Sequence, residues 1–180
     1  MNKTFFDNYF SELSCLVEQI DHEVLVTTSK MILEASQSGK KVILAGNGGS
    51  AAMASHVAVD LTKAAGVRAV NFNEADLITC FANDFGYEHW LEKAVEYFAD
   101  SGDLLVLISS SGQSPNIINA AYRALNLNLK LVTLSGFSSE NPLKEIGDVN
   151  IWVPSESYNH VEMAHHIWLL SVVDYLIESG

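Results

Sequence analysis

Positive charge is scarce in this sequence. Ten Lys and Arg stand against 22 Asp and Glu in 180 residues, a net charge of −12. Nucleic-acid grooves carry a basic stripe, and acidic membrane surfaces recruit basic clusters, so neither is expected as a partner. Cysteine is nearly absent. Cys15 and Cys80 have no framework spacing, which points to reduced thiols and a cytoplasmic protein. There are three prolines and no low-complexity tract. No apolar run approaches the roughly 18 residues of a membrane span. Asp7, Glu12 and Glu18 interrupt the N-terminal stretch where a secretion signal would be apolar.

What is present is apolar and periodic. Hydrophobic residues make up 48% and charged residues 18%, which suits one globular domain, 1–180, with a sizeable core. Residues 1–38 read as an N-terminal helical segment, in two helices with a break near Asp21, and 39–180 as an α/β core. Phe5, Phe6, Tyr9, Phe10, Leu13, Leu16, Val17 and Ile20 form a stripe broader than one helix face needs. The surplus predicts packing against a partner subunit. Strands are expected near 41–45, 68–73, 103–109, 129–134 and 149–153, alternating with helices, the last over 159–177. Asn83–Gly86 reads as a turn. This alternation predicts a doubly wound α/β fold with a five-stranded parallel sheet flanked by helices.

Two loops carry the chemistry. Val42–Ala45 is a short apolar run of the buried-strand kind, followed by Gly46, Gly48 and Gly49, with Ser50 as a helix N-cap. Such a turn aims backbone N–H groups and the positive end of a helix at an anion. Gly46-x-Gly48-x-x-Ala51 also fits a dinucleotide fingerprint, with Glu74 as the acid after strand two. The second loop, Ser109-Ser110-Ser111-Gly112-Gln113-Ser114, opens a helix at Pro115 and supplies hydroxyls for a phosphate nest. Both follow strands, and ligands of open α/β sheets bind at the carboxyl ends of strands. A phosphosugar explains both loops; a dinucleotide needs only the first; a bare chain-reversing turn explains neither serine-rich composition nor repetition.

Six residues into the first helix is His56, with Asp60 one turn on. The last helix offers Glu162, His165 and His166. These residues form a candidate zinc-like ligand set. The alternative is that His160, His165 and His166 are polar contacts at a subunit interface.

AGNGGSAAMASH, ANDFGY, LLVLISSSGQSPNI and NHVEMAHHIWLL together resemble the sugar isomerase (SIS) domain proteins, and most closely the bacterial phosphoheptose isomerases. The resemblance covers nearly the whole chain. It implies a flavodoxin-like three-layer sandwich, a homotetramer with sites between subunits, possible zinc, and aldose–ketose isomerisation of sedoheptulose 7-phosphate to a manno-heptose 7-phosphate or of a related sugar phosphate. Carried over by position, Ser109, Ser110, Ser111 and Ser114 would hold the phosphate. Asn47, Gly48, Gly49 and Ser50 would meet the sugar, and Asp84 its hydroxyls. The family's Glu four residues after the first-helix His is Asp60 here, its last-helix Gln is Glu162, and its His eight residues further is Leu170. Asn159 and Ala64 replace a family Asp and Arg. Asp60 would then be the base, and His166, one turn before Leu170, would replace the missing acid. A re-registered metal set would draw on His56, Asp60, Glu162 and His165 or His166. The second reading is a non-catalytic SIS protein that binds a phosphosugar or serves as an adaptor, as the replication initiator-associating relative does. An NAD-linked oxidoreductase is the third.

Overall fold

Every residue of the first strand, Val42–Gly46 (β1), is buried, so helices must cover both faces of the sheet. The computed structural model describes residues 3–179. In chain order the elements are α1 (Lys3–Glu18), α2 (His22–Gln37), β1, α3 (Gly49–Lys63), β2 (Ala69–Asn71), α4 (Ala75–Phe85), α5 (Trp90–Phe98), β3 (Leu104–Ser109), α6 (Pro115–Asn126), β4 (Lys130–Ser135), a 3-10 turn (Pro142–Glu145), β5 (Val149–Trp152) and α7 (Tyr158–Ser179). Strand order is β2-β1-β3-β4-β5, with every pairing parallel. The doubly wound, five-stranded arrangement expected from the sequence is the one observed.

Strand side chains alternate between two cores. Val42, Leu44, Val106 and Leu134 pack with Ile32 of α2, Met53 and Val57 of α3, and Trp168 and Val172 of α7. Ile43, Ala45, Leu105 and Leu107 pack with Leu91 of α5 and Ile117 and Ala121 of α6. The break between α1 and α2 falls where the sequence placed it, because the Asp21 carboxylate accepts the Glu23 N–H at 3.0 Å and caps α2.

Three local readings are corrected. Ser50 is not the N-cap of α3. Gly48 takes that position at φ 55°, a conformation glycine adopts without a Cβ penalty, and Ser50 lies inside the first turn. Asn83–Phe85 is the last turn of α4 rather than a loop, with Gly86 (φ 89°) ending it. Strand β2 stops at Asn71 because the chain leaves the sheet there. The Asn73 amide donates to Ala51 O at 2.8 Å and Ser55 Oγ at 2.7 Å, which ties the segment to α3 instead.

On α1, Leu16 is buried, while Phe5, Phe6 and Phe10 stand 60%, 57% and 62% exposed. The chain's own core therefore uses only part of the aromatic stripe.

The amino ends of β1 and β3 are locked by one acid. Asp103 is buried, its Oδ1 accepts the Lys41 N–H at 3.0 Å, its Oδ2 accepts the Asp100 N–H at 2.8 Å, and the Lys41 ammonium pairs with it. Without Asp103, Lys41 keeps its pair with Asp100 at 2.7 Å, but two backbone N–H groups lose their acceptor, at about 1–3 kcal/mol each. Asp103→Ala should lower unfolding stability by about 2–5 kcal/mol in urea titrations, with unchanged far-UV dichroism at zero denaturant.

Candidate functional site

The two loops line one cavity. Asn47 and Ser50 after β1, Ser109, Ser110, Ser111 and Ser114 after β3, and Tyr158 and Glu162 of α7 surround a space of about 90 Å3. Whole-ligand sites start near about 300 Å3, so this space holds one end of a ligand. A tetrahedral anion suits it, since hydroxyls and the start of α3 converge there. The position is the β1/β3 switch point of a 2-1-3-4-5 sheet, where the general rule puts ligands. A larger cavity of about 430 Å3 lies by α2 at the amino ends of β3 and β4, lined by Met31, Glu34, Leu104 and Lys130. It lies at the other end of the sheet, and its lining holds neither a histidine nor a serine cluster.

Close backbone approach explains the glycines. A Cβ on Gly46 would come within 2.6 Å of Ser50 Cβ, and one on Gly49 would collide with the Glu162 carboxylate. In the second loop Gly112, at φ 65°, has no room for a side chain against Asn141. The buried Asn141 amide in turn bonds Ser138 O at 2.8 Å and Ser135 Oγ at 3.2 Å, which holds the loop against the end of β4. Ser114 sits at the N-cap of α6, but its hydroxyl accepts from Ser109 Oγ at 3.1 Å and makes no cap bond. Ser111 Oγ accepts the Gln113 N–H at 3.2 Å.

One turn along α7 from Glu162 is His166, whose Nε2 lies 3.0 Å from Nδ1 of His56. Nε2 of His56 lies 3.2 Å from Asp60 Oδ2. One of the two facing ring nitrogens donates across the 3.0 Å contact and the other accepts, according to the tautomers. Burial, and secondarily the His56 ring, hold the His166 pKa below the usual histidine value. The pair is open to solvent within one chain: His56 is 50% exposed.

His165 points elsewhere. It is fully buried, with Nε2 3.0 Å from the Ser135 carbonyl at the end of β4. Of the two neighbouring histidines, His166 is the one that meets His56. Leu170 packs on the core. Asp84 is exposed on the last turn of α4, where Asn83 Nδ2 donates to it at 2.9 Å, and it does not line the cavity. The expected zinc set is corrected accordingly. Two imidazoles converge, Asp60 engages the far nitrogen of His56, His165 is committed to Ser135, and Leu170 has no donor. Among the described residues no group of three or more His, Cys, Asp or Glu is placed to hold a metal ion. Within one chain the described residues do not bring together the three or four protein ligands of a zinc site.

The SIS domain family model matches residues 5–136. This chain belongs to the SIS domain family. It is 36% identical over 149 residues to the phosphoheptose isomerase of Aliarcobacter butzleri, covering 79% of this chain and 78% of that one. Similarity to the phosphoheptose isomerase of Chlorobaculum parvum is 32% over 179 residues, with 95% and 85% covered. The structure of the phosphoheptose isomerase from Neisseria gonorrhoeae superposes with a TM-score of 0.90 at 27% identity, covering 97% of this chain and 98% of that one.

This SIS site also contains residues that sequence reasoning missed. Asn116 is buried at the start of α6, with its amide bonded to that of Asn47 at 2.9 and 3.0 Å. A signal for it existed: Asn116, Ala120 and Ala124 are four apart, so a polar residue occupies the inward row of the helix. Tyr87, whose hydroxyl donates to Asn47 Oδ1 at 3.2 Å, and Tyr158 carried no comparable signal.

Burial pushes the His165 pKa down to about 4, against the opposing pull of the Ser135 carbonyl. The folded state therefore prefers neutral His165, and its contribution is complete above the unfolded value near 6.5. It is lost as pH falls from there toward 4, by about 3 kcal/mol in total. His165→Gln should reduce the stability difference between pH 7.5 and pH 4.5 by about that amount in urea titrations at the two pH values. An unchanged difference removes the group from the titration.

Proposed function

We propose that this protein is a phosphoheptose isomerase, converting sedoheptulose 7-phosphate to D-glycero-D-manno-heptose 7-phosphate or isomerising a related sugar phosphate. The observation that carries this reading is the distance between anion cavity and imidazole. His166 lies one helical turn from Glu162, about 5–6 Å along α7. His56 lies about 9 Å along α3 from Ser50. In a ketose 7-phosphate about seven bonds separate the carbonyl carbon from phosphorus, or about 8 Å in an extended chain. A phosphate held by Ser109, Ser110, Ser111 and Ser114 brings C1 and C2 to the histidines, with Asn47, Gly48, Gly49 and Ser50 along the sugar.

In this reading His166 donates from Nε2 to His56, and its Nδ1 takes the proton from C1 of the open-chain ketose. The C–H electron pair becomes the C1=C2 double bond, and the C2 oxygen takes a proton from water, giving the enediol. Return of the proton from His166 to C2, with the C1 hydroxyl proton passing back to water, gives the aldehyde. His56, backed by Asp60, orients His166. Asp60 thus serves in this reading as the orienting carboxylate rather than the base, and no step passes through zinc. Asp84 is left for a neighbouring subunit's site. A cytoplasmic homotetramer completes the proposal: the exposed Phe5, Phe6 and Phe10 supply an apolar face, and the half-exposed His56 gains cover from a second copy. No described helix is long and apolar enough to cross a membrane.

The direct test is turnover of sedoheptulose 7-phosphate followed by proton NMR, with aldose formation expected. Binding without turnover would support the non-catalytic SIS reading instead. His166→Gln should lower turnover at least about 100-fold while leaving phosphosugar affinity within severalfold by calorimetry. Ser111→Ala should weaken that affinity by about 1–3 kcal/mol; equal affinity removes the hydroxyl from the site. Glu162 places a carboxylate in the anion cavity, and like charges repel. Glu162→Gln should therefore tighten phosphosugar binding, and weaker binding would show the carboxylate holding sugar hydroxyls.

A further inference from the structure

Asn116 lies on the inward row of α6, where a hydrocarbon would pack as well as an amide, and it is 1% exposed. Its Nδ2 donates to Asn47 Oδ1 at 2.9 Å and its Oδ1 accepts from Asn47 Nδ2 at 3.0 Å. The Tyr87 hydroxyl donates to the same Asn47 Oδ1 at 3.2 Å. An amide oxygen has two lone pairs and an amide nitrogen two hydrogens. Both lone pairs of Asn47 and one of its hydrogens are thus engaged, and one N–H is left at a residue lining the anion cavity.

We infer that Asn116 is a positioning residue: it joins the β1 and β3 loops through a reciprocal amide pair and fixes Asn47 as a hydrogen-bond donor to an oxygen of the bound sugar phosphate. This rests on the phosphosugar reading of the cavity. Asn47 cannot accept from a substrate hydroxyl in this arrangement, so its partner is a phosphate, carbonyl or alkoxide oxygen. Tyr87 extends the pair to the segment between α4 and α5, so three segments of chain set one amide. Asn116 touches the ligand only through Asn47, and that dependence makes the inference testable by a double-mutant cycle.

The cycle compares wild type, Asn116→Asp, Asn47→Ala and Asn47→Ala/Asn116→Asp, with sedoheptulose 7-phosphate affinity by calorimetry and melting temperature for each. Asp is isosteric with Asn but turns a second oxygen toward Asn47 Oδ1, which displaces the Asn47 amide. At pH 8 Asn116→Asp should weaken affinity about tenfold in the native background and less than about twofold once Asn47 is Ala. The melting-temperature losses of Asn116→Asp and Asn47→Ala should be less than additive in the double variant, because both break the same amide pair. Asn116→Leu is the second variant, should Asn116→Asp not fold, and carries the same expectation of dependence on Asn47. Equal losses in both backgrounds, or full affinity in Asn116→Asp, would overturn the inference. Failure of the wild type to bind the sugar phosphate would instead take down the phosphosugar reading, while the melting-temperature arm would still report whether the amide pair exists.

Discussion

Parallel pairing of β1 with β3 is the constraint on which the site depends. Its register sets Gly46 opposite Ile108, so the two strands end at the same level and their loops emerge side by side. In a sheet with consecutive strands paired in order, β2 would separate them. Instead β2 lies on the outer side of β1, and the switch in direction opens a cleft between the chain going left and the chain going right. The Asn47–Asn116 amide pair then closes that cleft to a fixed width.

Not a single Lys or Arg lines the cavity proposed to hold the phosphate of this strongly acidic chain's substrate. Backbone N–H groups, hydroxyls and the positive end of α3 act at short range, while the net charge of −12 is spread and screened. Glycine is what lets backbone come close enough, as the tight packing of Gly46 on Ser50 and of Gly49 on Glu162 shows. The histidine pair bridges α3 and α7, with His56 half exposed.

Much of this was legible in the sequence because it depends on local pattern. The runs Val42–Ala45 and Leu104–Ile108 are buried strands, Asp21 caps where a capping residue should, and both anion loops follow strands. The unreadable parts depend on partners distant in sequence. His165 and His166 are adjacent on a helix that buries two neighbouring residues per turn, as with Ala164–His165 and Trp168–Leu169. Which ring turns inward was decided by the Ser135 carbonyl on β4. Asp60 sits at metal-ligand spacing from His56, yet it meets the nitrogen that faces away from His166. Spacing gives the face of a helix but not the nitrogen of a ring. Strand β2 ended early because the Asn73 side chain found α3, a contact that no propensity encodes.

The proposed function requires one ligand to span from the serine loop to the histidine pair. A crystal structure of the protein soaked with sedoheptulose 7-phosphate tests this most directly. Phosphorus is expected among the hydroxyls of Ser109, Ser110, Ser111 and Ser114, with C1 and C2 beside His166. Phosphate density elsewhere on the molecule, or a sugar chain running away from His56 and His166, would contradict it.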